Sequence, residues 1–144
     1  MGKGTSTVGT TVFDASTNKA WTNTESTGAS AFDTSTVGTS DTVTATGTVT
    51  YALFTGTGCA AANQVTTLNG NTWPDTVTLD SAGNAPNSQA TGTLAQGGYS
   101  FQATYSGDGN YTGNTSPCEP FTVVPTVEVP LPTVNGSHGL VFPV

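Results

Sequence analysis

Cys59 and Cys118 are the only thiols in this sequence of 144 residues, and His138 is its only imidazole. Nucleophilic catalysis by a triad needs a histidine held by packed neighbours, whereas His138 ends a Gly-Ser-His stretch (136–138) that reads as vector-derived. Hydrolysis of a glycoside by acid and base needs two carboxyl groups facing each other across a cleft. Most of the nine acids here sit at turns, as Asp80 and Asp108 do, or on outward strand positions. Zinc calls for clustered Cys and His, and no CxxC pair is present. The residues therefore predict no enzyme, no cofactor and no metal centre. An even cysteine count in a chain rich in Thr and Gly points to a Cys59–Cys118 disulfide, with two separate buried thiols as the alternative. A bridge closing roughly 59 residues would contribute about 4 kcal/mol.

The stretch most like a binding site is "ATYSGDGNYTGNTS" (103–116), a strand that runs into a turn crowded with Gly, Asn and Asp. Calcium takes roughly six to eight oxygens, commonly from more than one carboxylate. Asp108 is the only acid in the loop, which makes it a weak calcium ligand. The competing expectation is a corner between strands. There Gly107 and Gly109 take positive φ, Asp108 and Asn110 cap the turn, and Tyr105 and Tyr111 anchor it to the core. Trp21 and Trp73 could stack a sugar on an exposed face; covering the end of a β-sandwich is the commoner use of such rings.

Composition sets the surroundings in which these residues act. The net charge is −7, with Lys3 and Lys19 as the only cationic side chains and no Arg. A nucleic-acid binder neutralises phosphates with several Lys or Arg, and anionic membrane surfaces need the same charges. Both partners are disfavoured on charge. No apolar run approaches the roughly 18 residues of a membrane span, and no secretory h-region follows Met1. Thr alone makes up roughly a fifth of the chain, and it recurs in alternation with Val, Tyr and Phe. That is the composition of β-sheet, not of a disordered segment.

Strand signals come as short runs between turn residues, with no helical periodicity. They fall at 9–16, 28–37, 42–54 with a break at Gly47, 72–80, 88–94, 99–105 and 120–124, with a short edge segment at 58–61. The expectation is an all-β, immunoglobulin-like Greek-key β-sandwich of about seven strands; an up-and-down barrel is the alternative. Its predicted core contains Phe13, Tyr51, Leu53, Tyr99, Phe101 and Phe121. Residues 1–8 read as an introduced boundary or linker, 9–124 as the domain, and 125–144 as a Pro-rich linker or tail.

Four segments carry a resemblance: "GTVTY" (47–51), "VTLDSAGN" (77–84), "LAQGGYSFQATYSGDGNYTGNTS" (94–116) and "CEPFTV" (118–123). Together they resemble bacterial immunoglobulin-like repeat domains of large cell-surface proteins and adhesins, over roughly residues 28 to 124. The A-x-Y-S-G-D-x-N-Y core is the most specific part, and the cysteine pair fits a subset whose last strand opens in this way. Residues 9–27 look like a first strand plus an insertion that the family pattern does not require.

The resemblance implies an extracellular, non-catalytic stalk or spacer at the cell surface or in the cell wall, with neighbouring repeats or identical subunits as partners. Two other readings stand beside it. One is recognition of a host protein or glycan through loops or through Trp21 and Trp73. The other is assembly into a filament, with the apolar tail Leu140, Val141 and Phe142 completing a neighbour's sheet by strand addition. Some surface domains of this kind carry internal amide or ester cross-links, but Lys3 and Lys19 flank the first strand and the last has neither Asn nor Gln. The glycosylation triplets at Asn110, Asn114 and Asn135 are expected by chance in such a chain.

Overall fold

A computed structural model describes residues 2–22 and 24–126. Alternation of β-branched and aromatic residues gives the chain its strands. They are β1 (Ser6–Asp14), β2 (Lys19–Ala20), β3 (Thr24–Ser26), β4 (Ala31–Thr39), β5 (Thr48–Thr55), β6 (Thr67–Leu68), β7 (Asn71–Thr72), β8 (Asp75–Thr78), β9 (Gly97–Tyr105), β10 (Asn114–Thr115) and β11 (Glu119–Val124). One sheet has the order β2-β1-β4, and the larger has the order β3-β11-β9-β5-β8, with β10 beside β9. β6 and β7 form a small separate hairpin. The only helical turn among the described residues is a short 3-10 turn, Ala61–Asn63, which begins at the last residue of the edge segment expected at 58–61; residues 58–60 form no strand.

The two sheets pack face to face. Val8, Val12 and Ala31 from the smaller sheet meet Val49, Tyr51, Leu53, Phe101, Ala103 and Phe121 from the larger one in a single buried cluster. Central β9 follows its sequence pattern: Tyr99, Phe101, Ala103 and Tyr105 are buried, and Thr104 is exposed. Ser100, on the opposite face of β9 from Phe101, is buried because the chain after β5 folds over it. Its Oγ donates to Gly56 O at 2.8 Å and accepts the Cys59 N–H at 3.0 Å.

β1 faces the opposite way from the expectation. Val8, Val12 and Asp14 are buried, while Phe13 is only half-buried on the outer face. The β1–β4 register opposes Phe13 to Phe32, and the two rings stack at 5.5 Å. Each ring shields the other, so the inner layer is left to the smaller valines. The strand also begins at Ser6, three residues ahead of the expected domain boundary.

Residues 88–94 form no regular strand, yet they cover the free edge of β4. The N–H groups of Ser88, Thr91 and Leu94 donate to Asp33 O, Ala31 O and Ala29 O at 2.8–2.9 Å. The segment thus advances three residues for every two of β4, a mismatch no regular ladder can hold. Side chains fill the gaps: the Ala31 N–H donates to Thr91 Oγ1 at 3.0 Å and the Asp33 N–H to Ser88 Oγ at 2.9 Å. The edge backbone is satisfied without a strand.

The course of the chain sets the long axis. Gly4 is tied to the corner after β9, donating to Asn110 O at 2.8 Å and accepting from the Thr112 N–H at 3.0 Å. Val124 is tied at the other end, where β9 begins: Val123 is opposite Gly97, and the Thr27 N–H donates to Val124 O at 2.8 Å. Gly4 and Val124 are therefore separated by the length of β9, about 30 Å at the usual rise of an antiparallel strand.

Candidate functional site

The Asp108 corner joins the turn after β9 to the connection between β4 and β5. Asp108 Oδ1 accepts the N–H groups of Asn110 and Tyr111 at 2.7 and 2.8 Å. Its Oδ2 accepts the Thr46 N–H at 2.7 Å and the Thr46 hydroxyl at 3.3 Å. The Thr46 N–H is the main reason that its carboxyl is held down to about 2, aided by the N–H groups of Asn110 and Tyr111. Tyr105 Oη donates to Thr46 O at 2.7 Å, and Tyr111 Oη donates to Val43 O at 2.6 Å. Gly107 sits at φ 77°, and a Cβ there would lie 2.7 Å from Gly113 N. Both carboxylate oxygens of Asp108 are engaged by donors of the protein, an arrangement suited to bracing the connection between β4 and β5 and not to holding a cation.

Cys59 and Cys118 form a disulfide, with their Cα atoms 5.9 Å apart. It ties the loop after β5 to the residue just ahead of β11. The last strand is thus attached to the centre of the larger sheet by a covalent bond as well as by its ladder.

The tryptophans have different surroundings. Trp73 is only 2% exposed and lies tilted against Phe101 at a centroid distance of 5.8 Å. The stacking role considered for it is thereby corrected: neither face of the indole reaches the surface, because the turn between β7 and β8 folds the ring over the sheet. Trp21 is half-buried, packs edge-on against Phe121 at 5.1 Å and donates through Nε1 to Thr122 O at 3.4 Å. Its N–H donates to Val12 O at 2.8 Å, so the residue bridges the two sheets.

At that bridge lies a groove of about 350 Å³, lined by Thr11, Val12, Trp21, Glu119, Pro120 and Thr122. It follows the seam between β1 and β11. Burial raises the Glu119 carboxyl above its ordinary value. In β4, Asp33 is fully buried, with neither carboxyl oxygen hydrogen-bonded among the described residues. Desolvation is the largest cause of its rise to about 8; the backbone N–H of Thr34 opposes it, and the charge of Glu119 adds to it.

Asp33 and Glu119 were not among the candidate residues. A signal was present in "AFDTSTV" (31–37): Asp33 stands between Ala31 and Ser35 on one face of an alternating strand. Lys3 and Lys19 are both exposed. The tail residues Leu140, Val141 and Phe142, and His138 with them, lie outside the described residues.

No known protein family matches this chain, and neither a curated protein nor a solved structure is detectably similar to it. Among the described residues, no helix is long and apolar enough to cross a membrane, and no group of three or more His, Cys, Asp and Glu is placed to hold a metal ion.

Proposed function

We propose that this chain is a non-catalytic structural module, an immunoglobulin-like repeat serving as a stalk or spacer of a bacterial surface protein or adhesin. The observation that carries the reading is the placement of Gly4 and Val124 at opposite ends of the sandwich, with Val124 held by a ladder and Gly4 by a single bridge, both running along the long axis. β3 pairs with β11 in parallel, Thr24 opposite Thr122 through Ser26 opposite Val124. At the other end Gly4 bridges Tyr111, also in parallel. A pull along the axis makes these segments slide past their neighbours, so several hydrogen bonds bear the load together. The disulfide adds a limit, since the residues between Cys59 and Cys118 cannot be drawn out. Persistence of a disulfide favours an oxidising compartment, in keeping with a place outside the cell.

Stretching single molecules between residues 4 and 126 tests the reading. A stalk module is expected to resist until its end attachments break together in one event. Reductant should then lengthen the released chain by about 200 Å, the reach of the residues freed between the cysteines. Gradual yielding at low force would count against it.

The groove beside Trp21 supports a second reading, recognition of a host protein or a glycan. Binding on a glycan array that disappears in Trp21→Ala would favour it. Assembly through Leu140, Val141 and Phe142 has a separate test: concentration-dependent association that is lost when residues 127–144 are deleted.

A further inference from the structure

Asp33 is the most enclosed acidic side chain among the described residues, and its geometry sets it apart from the other acids. It shares an inward face of β4 with Ala31 and Ser35, and Ser35 Oγ lies 2.8 Å from Tyr51 Oη of the opposite sheet. Its backbone is fully engaged at the β4 edge, donating to Ser88 Oγ and accepting from the Ser88 N–H. Its two carboxyl oxygens have no such partners among the described residues. An ionised carboxylate buried without donors is among the costliest arrangements a core can hold.

The groups around Asp33 offer little compensation: the backbone N–H of Thr34 alone favours the charged form, and burial outweighs it. β11 presents Glu119, whose charge acts on it. β5 presents Tyr51, whose hydroxyl already donates to Pro86 O at 2.7 Å. β8 carries Asp75 beyond that tyrosine, occupied by the Gln89 N–H at 2.7 Å. β1 opposes it with Val12, and the segment along the β4 edge with Ser88, neither of them titratable. Lys3 and Lys19 are exposed and do not figure in its surroundings.

We propose that Asp33, with Glu119 across the seam between the sheets, is a proton-operated latch: the sandwich is held closed while Asp33 keeps its proton and is loosened when it loses it. This inference is independent of the stalk reading, because it concerns the cohesion of the sandwich whatever the module carries. The sign follows from linkage. An unfolded Asp ionises near 3.8, whereas the folded group ionises near 8. Between those limits the folded chain holds the extra proton, so stability falls as the pH rises through this window. The unfolding equilibrium constant grows by up to about tenfold per pH unit, the limit for one proton. Below the window the group has no effect on the slope.

Urea unfolding of the full chain at about pH 5, 6.5 and 8 tests the latch. The wild-type midpoint should fall across the series. Asp33→Asn should flatten this trend and exceed the wild type at the highest pH; an unchanged trend overturns the proposal. Should Asp33→Asn fail to fold, carbon-13 NMR of the Asp33 carboxyl in the wild-type chain decides instead. A titration midpoint above about pH 6.5 supports the latch, and one in the ordinary carboxylate range overturns it. Glu119→Gln should lower that midpoint, and a midpoint left in place overturns the pairing across the seam.

Discussion

Asp108 and Thr46, 62 residues apart in sequence, are joined by a 2.7 Å hydrogen bond from the Thr46 backbone N–H to the Asp108 carboxylate. This bond fastens the corner after β9 to the connection between the two sheets, and it is strongest while the carboxylate is ionised. Asp108→Ala should lower the thermal midpoint, and Asp108→Asn should recover part of the loss. Because the folded carboxyl is held down to about 2, its contribution is complete above the unfolded value of 3.8 and is lost as the pH falls through the folded one. Melts recorded across that acid range should converge for the wild type and Asp108→Ala. Curves that stay apart at the acid limit would show that the carboxylate is not the cause.

The Cys59–Cys118 bridge closes a loop with a sequence separation of 59. Replacing both residues with Ser should cost about 4 kcal/mol, chiefly by freeing the unfolded chain. Urea midpoints measured with and without reductant check this: reductant should lower the wild-type midpoint to that of the double variant and leave the variant unaffected.

The rings of Phe101 and Phe121 stack at 5.3 Å, Tyr99 stacks on Phe121 at 5.6 Å, and Trp73 closes over Phe101. Phe101 is fully buried, so Phe101→Ala should cost about 3–5 kcal/mol. Val43 is 50% exposed, and Val43→Ala should stay within about 0.5 kcal/mol of the wild type. Chemical denaturation of the two variants side by side provides the comparison, and equal losses would contradict the assigned core.

Asp14 and Glu25 form a second acidic pair across the seam. The hydrogen bond from Glu25 is the largest cause holding the Asp14 carboxyl down to about 2, while burial first, and then that same bond, raise Glu25. A proton shared by the pair is held more readily by Glu25, whose carboxyl is raised, than by Asp14, whose carboxyl is lowered. A raised acid adds stability that is present below its unfolded value of 4.5 and is lost as the pH rises through the folded one. Gln carries a permanent N–H donor, so Glu25→Gln should match the wild type near pH 4 and exceed it near neutrality, roughly the span over which a carboxyl deprotonates. Paired melts at the two pH values give the answer; a variant weaker at both would exclude the shared proton.

Much of the larger sheet can be read in the chain itself. "YSFQATY" (99–105) and "TVTYALF" (48–54) alternate so regularly that side-chain direction, a purely local property, assigns Tyr51, Leu53, Phe101 and Tyr105 to the core. The turn chemistry of Gly107, Asp108 and Asn110 is likewise local. The facing of β1 is not, because Val12 and Phe13 put an apolar residue on each side of the strand. Only the register with β4, which brings Phe13 against Phe32, decides between them.

The same division runs through the candidate sites. The composition of the chain was enough to forecast an all-β fold with a disulfide, since β-branched alternation and a lone pair of cysteines each act through short-range chemistry. What tertiary structure alone decided is the burial of Trp73, the groove beside Trp21, the separation of Gly4 from Val124, and the isolation of Asp33 opposite Glu119. Each depends on which surfaces from distant parts of the chain exclude water together, and that is a property of packing, not of any segment taken alone.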